Sequence, residues 1–318
     1  MRSDRIYLVM ITLAGFAAAL LTVRAITQWA ERDGEWPGLW GVAFANHDDG
    51  SSSNLTVHEQ ETIRKAFTFG AAQAAKTLEV DNVFGSIEVV GTTSNEAKLE
   101  VAKTILAESK ERLEAARKEV TLDVSQNGND VRLYVNGPFR CKCCSNCTSS
   151  HGDEGYLVKM DFQLQVPSGT ELKLKTVNQG HIKVQGVAGN YSVRNVNGGI
   201  EMLDVAGSGI VRTVNGAVKV TFRENPRANS EYASLNGDVE LQFAKNLSAD
   251  FRFKTLNGGI YTDYLLSALP QRAPVQERRD GKLVFRADGY TGGRVGVGGP
   301  EIKVENLNGD IRVLERHA

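Results

Sequence analysis

One short phrase recurs through the second half of the chain and narrows its folding options more than any other feature. The copies read Thr176-Val177-Asn178, Asn195-Val196-Asn197-Gly198, Thr213-Val214-Asn215-Gly216, Ser234-Leu235-Asn236-Gly237 and Thr255-Leu256-Asn257-Gly258, with Asn306-Leu307-Asn308-Gly309 near the C-terminus. In the compact block the asparagines recur every 18 to 21 residues, a period typical of coiled β architectures. Aligning the copies on the Asn gives two aliphatic columns: Val177, Val196, Val214, Leu235, Leu256, and Ile182, Ile200, Val218, Val239, Ile260. Such columns are what the inward positions of stacked strands require. Glycine follows the asparagine in five of the six copies (Gln179 follows Asn178) and suits a tight corner, because it adopts positive φ at low steric cost. The structural turns are therefore Asn197-Gly198, Asn215-Gly216, Asn236-Gly237, Asn257-Gly258 and Asn308-Gly309.

Asn-Gly between alternating runs also signals a type I′ hairpin, so an antiparallel sandwich competes with a stacked coil. The column after the second aliphatic position runs Lys183, Glu201, Lys219, Glu240. Stacked strands would set these side chains about 4.8 Å apart with alternating sign, a favourable arrangement that separate hairpins do not call for. The chain is accordingly expected to be mainly β: a β-solenoid or β-helix-like repeat domain with one amphipathic helix and an N-terminal signal or transmembrane helix.

Three positions before the asparagines stand Lys175, Arg194, Arg212, Ala233 and Lys254. Stacked cations repel unless neutralised. Either nearby carboxylates pair with them, or Lys175, Arg194, Arg212 and Lys254 form a basic stripe for an anionic glycan or lipid headgroups.

The flanking sequence sets compartment and boundaries. Arg2 and Arg5 precede an apolar run over 6–23, the pattern of a secretory signal peptide; its length also approaches the ~20 residues of a membrane-spanning helix. Residues 1–30 are thus a signal peptide or signal anchor, and the remainder is exported, with the membrane as a partner if the segment is retained. Residues 31–60, with Trp36, Trp40 and a triple serine, form a linker. Residues 61–172 form a β-rich entry region and 173–318 the repeat region. Within the entry region, Leu78–Val89 is a diverged copy of the repeat phrase. Residues 104–118 lack Gly and Pro and place Ile105, Leu106, Leu113 and Ala116 on one helical face. Two alternating runs joined by Gln126-Asn127-Gly128-Asn129-Asp130 give a hairpin.

All four cysteines, Cys141, Cys143, Cys144 and Cys147, lie in one phrase, with His151 just beyond. An even count in an exported chain favours disulfides; a zinc site is the alternative, although two C-x-x-C pairs separated by a long spacer, the standard arrangement, are not found here. A formal net charge of −1 gives no bulk argument for nucleic acid. His47, His58, His151, His181 and His317 are dispersed, and no nucleophile motif surrounds a serine or cysteine. No catalytic residues or cofactor are expected.

The signal segment, the β entry, the charged helix and the serial Val/Leu-Asn-Gly phrases together resemble a bacterial family of exported β-strand-repeat proteins of unknown function labelled "putative adhesin". The resemblance covers about residues 65–315. It implies a non-enzymatic cell-envelope protein, a binding or scaffold module acting on an envelope component. An envelope-stress sensor and, from another class, a carbohydrate-active β-helix enzyme are the alternatives.

Overall fold

The computed structural model describes residues 55–70, 75–140, 155–271, 275–279, 282–286 and 289–316. The N-terminal signal or anchor, residues 31–54 of the linker, and all four cysteines with His151 lie outside them. The chain divides into two compact units, Met1–Asn46 with Phe139–Ser150, and His47–Pro138 with His151–Ala318. The second carries the architecture that follows.

Two large mixed sheets make up the unit. The first runs in the order β1 (Val57–Thr68), β4 (Glu96–Ala107), β7 (Tyr156–Pro167), β3 (Ile87–Thr92), β9 (Ile182–Gln185), β11 (Ile200–Val205), β13 (Val218–Phe222), β15 (Val239–Phe243), β23 (Ile311–Glu315), β17 (Ile260–Thr262). The second runs β18 (Ser267–Leu269), β21 (Thr291–Val295), β16 (Ala249–Lys254), β22 (Glu301–Asn308), β14 (Ser230–Asn236), β12 (Gly209–Asn215), β10 (Tyr191–Arg194), β8 (Glu171–Lys175), β2 (Thr77–Asp81), β6 (Asp130–Asn136), β5 (Thr121–Asn127). A separate hairpin pairs β19 (Val275–Arg279) with β20 (Lys282–Arg286).

From β3 to β17 in one sheet, and from β6 to β16 in the other, every pairing is parallel. The Asn-Gly phrases are therefore corners between the two sheets and not hairpin turns. Ile182, Ile200, Val218, Val239, Ile311 and Ile260 fall in one register column, as the alignment requires. Antiparallel strands finish both sheets at one end, with β1, β4 and β7 in the first and the β5–β6 hairpin in the second; at the other end β18 and β21 finish only the second sheet, and the first stops at the parallel strand β17. The described residues thus form two mixed sheets and not the expected β-solenoid; of that expectation the structure keeps the parallel, in-register stacking through the repeat block.

The copies do not stack in sequence order. β22 lies between β14 and β16, and β23 lies between β15 and β17. The C-terminal copy, Asn306-Leu307-Asn308-Gly309, is an interior rung, and the fifth copy is the terminal one.

Period-two alternation feeds a core between the sheets. Aromatic rings cross it: Phe222 stacks on Phe243 at 4.7 Å, Phe222 meets Tyr232 edge-on at 6.0 Å, and Phe243 meets Phe251 edge-on at 5.7 Å. The buried hydroxyls of Tyr191 and Tyr232 hydrogen-bond at 2.7 Å, which satisfies two polar groups that would be costly alone. Burial pushes the Tyr232 phenol up to about 12.

The helix α1 spans Lys110–Glu119, beginning later than the sequence period predicts. Residues 104–107 extend β4 because Val101, Lys103, Ile105 and Ala107 alternate inward, and Ser109 then caps the helix by accepting from the Arg112 amide at 3.3 Å. Leu113 and Ala116 are buried, as predicted. The hairpin is also where the sequence puts it, with Gly128 at φ 59°.

A second polar column, two positions before each asparagine, latches each rung to its neighbour from inside. Thr176 Oγ1 donates to the Gly85 carbonyl (2.9 Å), Asn195 Nδ2 to Gly180 (3.0 Å) and Thr213 Oγ1 to Gly198 (2.8 Å). Ser234 Oγ donates to Gly216 (2.8 Å) and Asn306 Nδ2 to Gly237 (2.9 Å). On the terminal rung the Thr255 hydroxyl is buried without a partner. Thr213→Val is therefore expected to cost about 1–2 kcal/mol, whereas Thr255→Val should be neutral or mildly stabilising; paired urea melts read the difference.

Candidate binding surface

Strand register sets the residues of the expected basic stripe at one level of the second sheet. Lys175, Arg194 and Arg212 sit on adjoining strands at one level, followed by Ala233, Glu305 and Lys254. Asp81 precedes Lys175 in the same row. Sequence reading missed Glu305, although it stands three positions before Asn308 and so belongs to this column. Its place between Ala233 and Lys254 follows only from the inserted C-terminal rung.

The row is strongly compensated. Lys175 Nζ lies 3.7 Å from Asp81. Arg212 is buried, with its guanidinium 2.6 Å from Glu231. The Lys254 ammonium sits 5.5 Å from the Tyr290 ring centre, a cation–π distance, and the Tyr290 hydroxyl donates to Glu305. Arg194 is half-buried between Lys175 and Arg212. One level further from the corner, Arg132 lies 3.2 Å from Glu79 on the adjoining strand, and Arg252 reaches Glu301, one level beyond its own, at 3.8 Å.

The first sheet presents the Lys/Glu column in the predicted order. Lys183 is 3.8 Å from Glu201, and Lys219 is 3.4 Å from Glu240. Arg312 of the inserted strand follows Glu240 and reaches Asp238 and Asp310, each at 2.7 Å. The Asp310 amide and the Arg312 guanidinium hold the Asp238 carboxyl below the usual carboxylate range.

At the corner joining the sheets, the asparagine side chains form one continuous amide ladder. Asn197 Nδ2 donates to Asn178 (2.6 Å), Asn215 to Asn197 (2.7 Å) and Asn236 to Asn215 (2.8 Å). Asn308 donates to Asn236 (2.7 Å) and Asn257 to Asn308 (2.8 Å). The glycines are there for closeness of approach as much as for φ. A Cβ on Gly198 would lie 1.9 Å from the Gly180 carbonyl oxygen, and one on Gly258 1.9 Å from that of Gly309. Among the described residues, no group of three or more His, Cys, Asp or Glu is arranged to hold a metal ion; the cysteine cluster proposed for disulfides or zinc is not among them.

Fold and surface together define a mainly β protein of two large sheets, with charge-paired outer faces and a structural amide ladder at the corner. No protein-family model and no curated protein matches the chain. Among solved structures, a "putative cell adhesion protein" from Clostridium sporogenes is 12% identical, with 81% of this chain and 100% of that chain covered at a TM-score of 0.39. A "putative adhesin" from Bacteroides fragilis is 12% identical over 80% and 97%, at 0.31. A "Putative lipid binding protein" from Parabacteroides distasonis is 13% identical over 79% and 96%, at 0.26. The second bears the same words, "putative adhesin", as the family that the repeat phrases resemble. Overlap at this level assigns no function.

Proposed function

We propose that this chain is a non-enzymatic β-repeat module of the cell envelope, a rigid scaffold or binding surface exported by its N-terminal segment. The observation that carries the reading is the use made of the recurring polar residues. Asparagines bond asparagines and Thr/Ser/Asn latches bond glycine carbonyls, so polar columns tie the in-register parallel strands of the two sheets together. The carbohydrate-enzyme alternative needs converging carboxylates. Glu201 and Glu240 instead lie beside Lys183 and Lys219 on neighbouring rungs.

The partner is an anionic envelope component, glycan or lipid headgroup, met along the row containing Lys175, Arg194, Arg212 and Lys254. Arg194→Gln tests this: it removes one cation from the row and sets no new carboxylate beside the buried Arg212–Glu231 pair. Retention of the full chain on anionic vesicles or an immobilised acidic glycan should fall at low salt and identify which source binds. Unchanged retention on both removes the anionic partner. Fractionation of the host should recover the chain with the envelope; cytosolic recovery overturns the wider reading.

A further inference from the structure

The two ends of the stack are finished differently. At the β1 end the free edge strand carries Glu59, Glu61, Arg64 and Lys65, the charges that normally discourage edge pairing. At the other end the first sheet stops at β17, Ile260-Tyr261-Thr262, which has no charge. Tyr261 occupies the register position that holds Arg312, Glu240, Lys219, Glu201 and Lys183 on the rungs behind it. The aliphatic columns also run out into solvent here: Val196 and Ile200 are 1% and 2% exposed, whereas Leu256 and Ile260 are 71% and 36%, and just beyond β17 Leu265 is 96% exposed.

We propose that this end is a dimerisation surface, on which β17 pairs antiparallel with β17 of a second copy about a two-fold axis near Tyr261. A two-fold contact sets a residue on the axis against itself. Any of the five charged residues in this column would then face its own charge, and like charges directly opposite are destabilising. Tyr261 is the uncharged member, and it stands on the edge strand. Antiparallel pairing about it places Ile260 opposite the second copy's Thr262. It also turns the apolar residue before β17, Leu256, toward those after it in the other copy, Leu265 and Leu266. The charged β1 edge at the far end limits association to a closed pair.

The test is sedimentation of the full chain over a concentration series, alone and as Tyr261→Lys and Tyr261→Glu. The native chain should approach twice the monomer mass. Each variant should still unfold cooperatively, Lys at a lower midpoint than Glu because residue 261 lies beside Arg312, and should dimerise about tenfold more weakly or worse; mixing the two should restore the pair, because Lys then faces Glu across the axis. A native monomer, a dimer indifferent to both variants, or a mixture no tighter than either variant alone overturns the proposal. A dimer lost in single variants and regained in the mixture supports it.

Discussion

Gly216→Ala is expected to cost about 2–5 kcal/mol, combining overpacking and backbone strain, although it adds one methyl group at a surface corner. The new Cβ would lie 2.5 Å from the carbonyl carbon and oxygen of Gly198 and 2.7 Å from the Gly199 nitrogen. All three are backbone atoms of the rung beneath, so no side chain can swing aside. The residue also sits at φ 155°, where an L side chain is strained. Gly128 of the β5–β6 hairpin is the control. Its φ is +59° with nothing within 4 Å of an added Cβ, so Gly128→Ala should cost only about 1–2 kcal/mol. Urea midpoints of the two variants separate close rung packing from simple turn chemistry; equal losses would mean that the corner glycines serve φ alone.

Ending the chain before residue 300 should abolish cooperative folding of the repeat region. In an array stacked in sequence order, losing the last copy would cost little beyond one end contact. Here the lost strands β22 and β23 are interior. Ile302, Val304, Ile311 and Val313 are each fully buried, and burying four such side chains stabilises by about 6–12 kcal/mol, comparable with the whole stability of an ordinary domain. The cut also breaks the asparagine ladder between Asn236 and Asn257 and leaves β16 and β17 without their parallel partners. Circular dichroism and urea unfolding read the outcome. A truncated chain that melts close to the intact one would contradict the inserted rung.

Much of the stacking was legible because each strand repeats the same local demands. Alternation of Lys183, Glu201, Lys219 and Glu240 has no hairpin explanation, and the structure puts those side chains beside one another on parallel strands. Position relative to the asparagine likewise placed Lys175, Arg194 and Arg212 in one row. What neutralises that row was not readable, since Asp81 comes from the entry region and Glu231 reaches Arg212 diagonally. The helix start was misjudged because residues 104–107 satisfy both periods; burial of Ile105 and Ala107 on the sheet decides for strand. Rung order was hidden for a different reason. The 265–299 segment is long enough to bring the C-terminal copy back between the fourth and fifth, and sequence adjacency records no such return. The Thr/Ser/Asn latch was visible as a polar column, but its role depends on a glycine carbonyl one rung away.

Backbone NOEs across the first sheet test the in-register stack with its inserted C-terminal rung most directly. The structure predicts contacts from Val239 to Ile311 and from Ile311 to Ile260. A direct Val239–Ile260 contact, with Ile311 next to neither, would show that the copies stack in sequence order and would contradict the account.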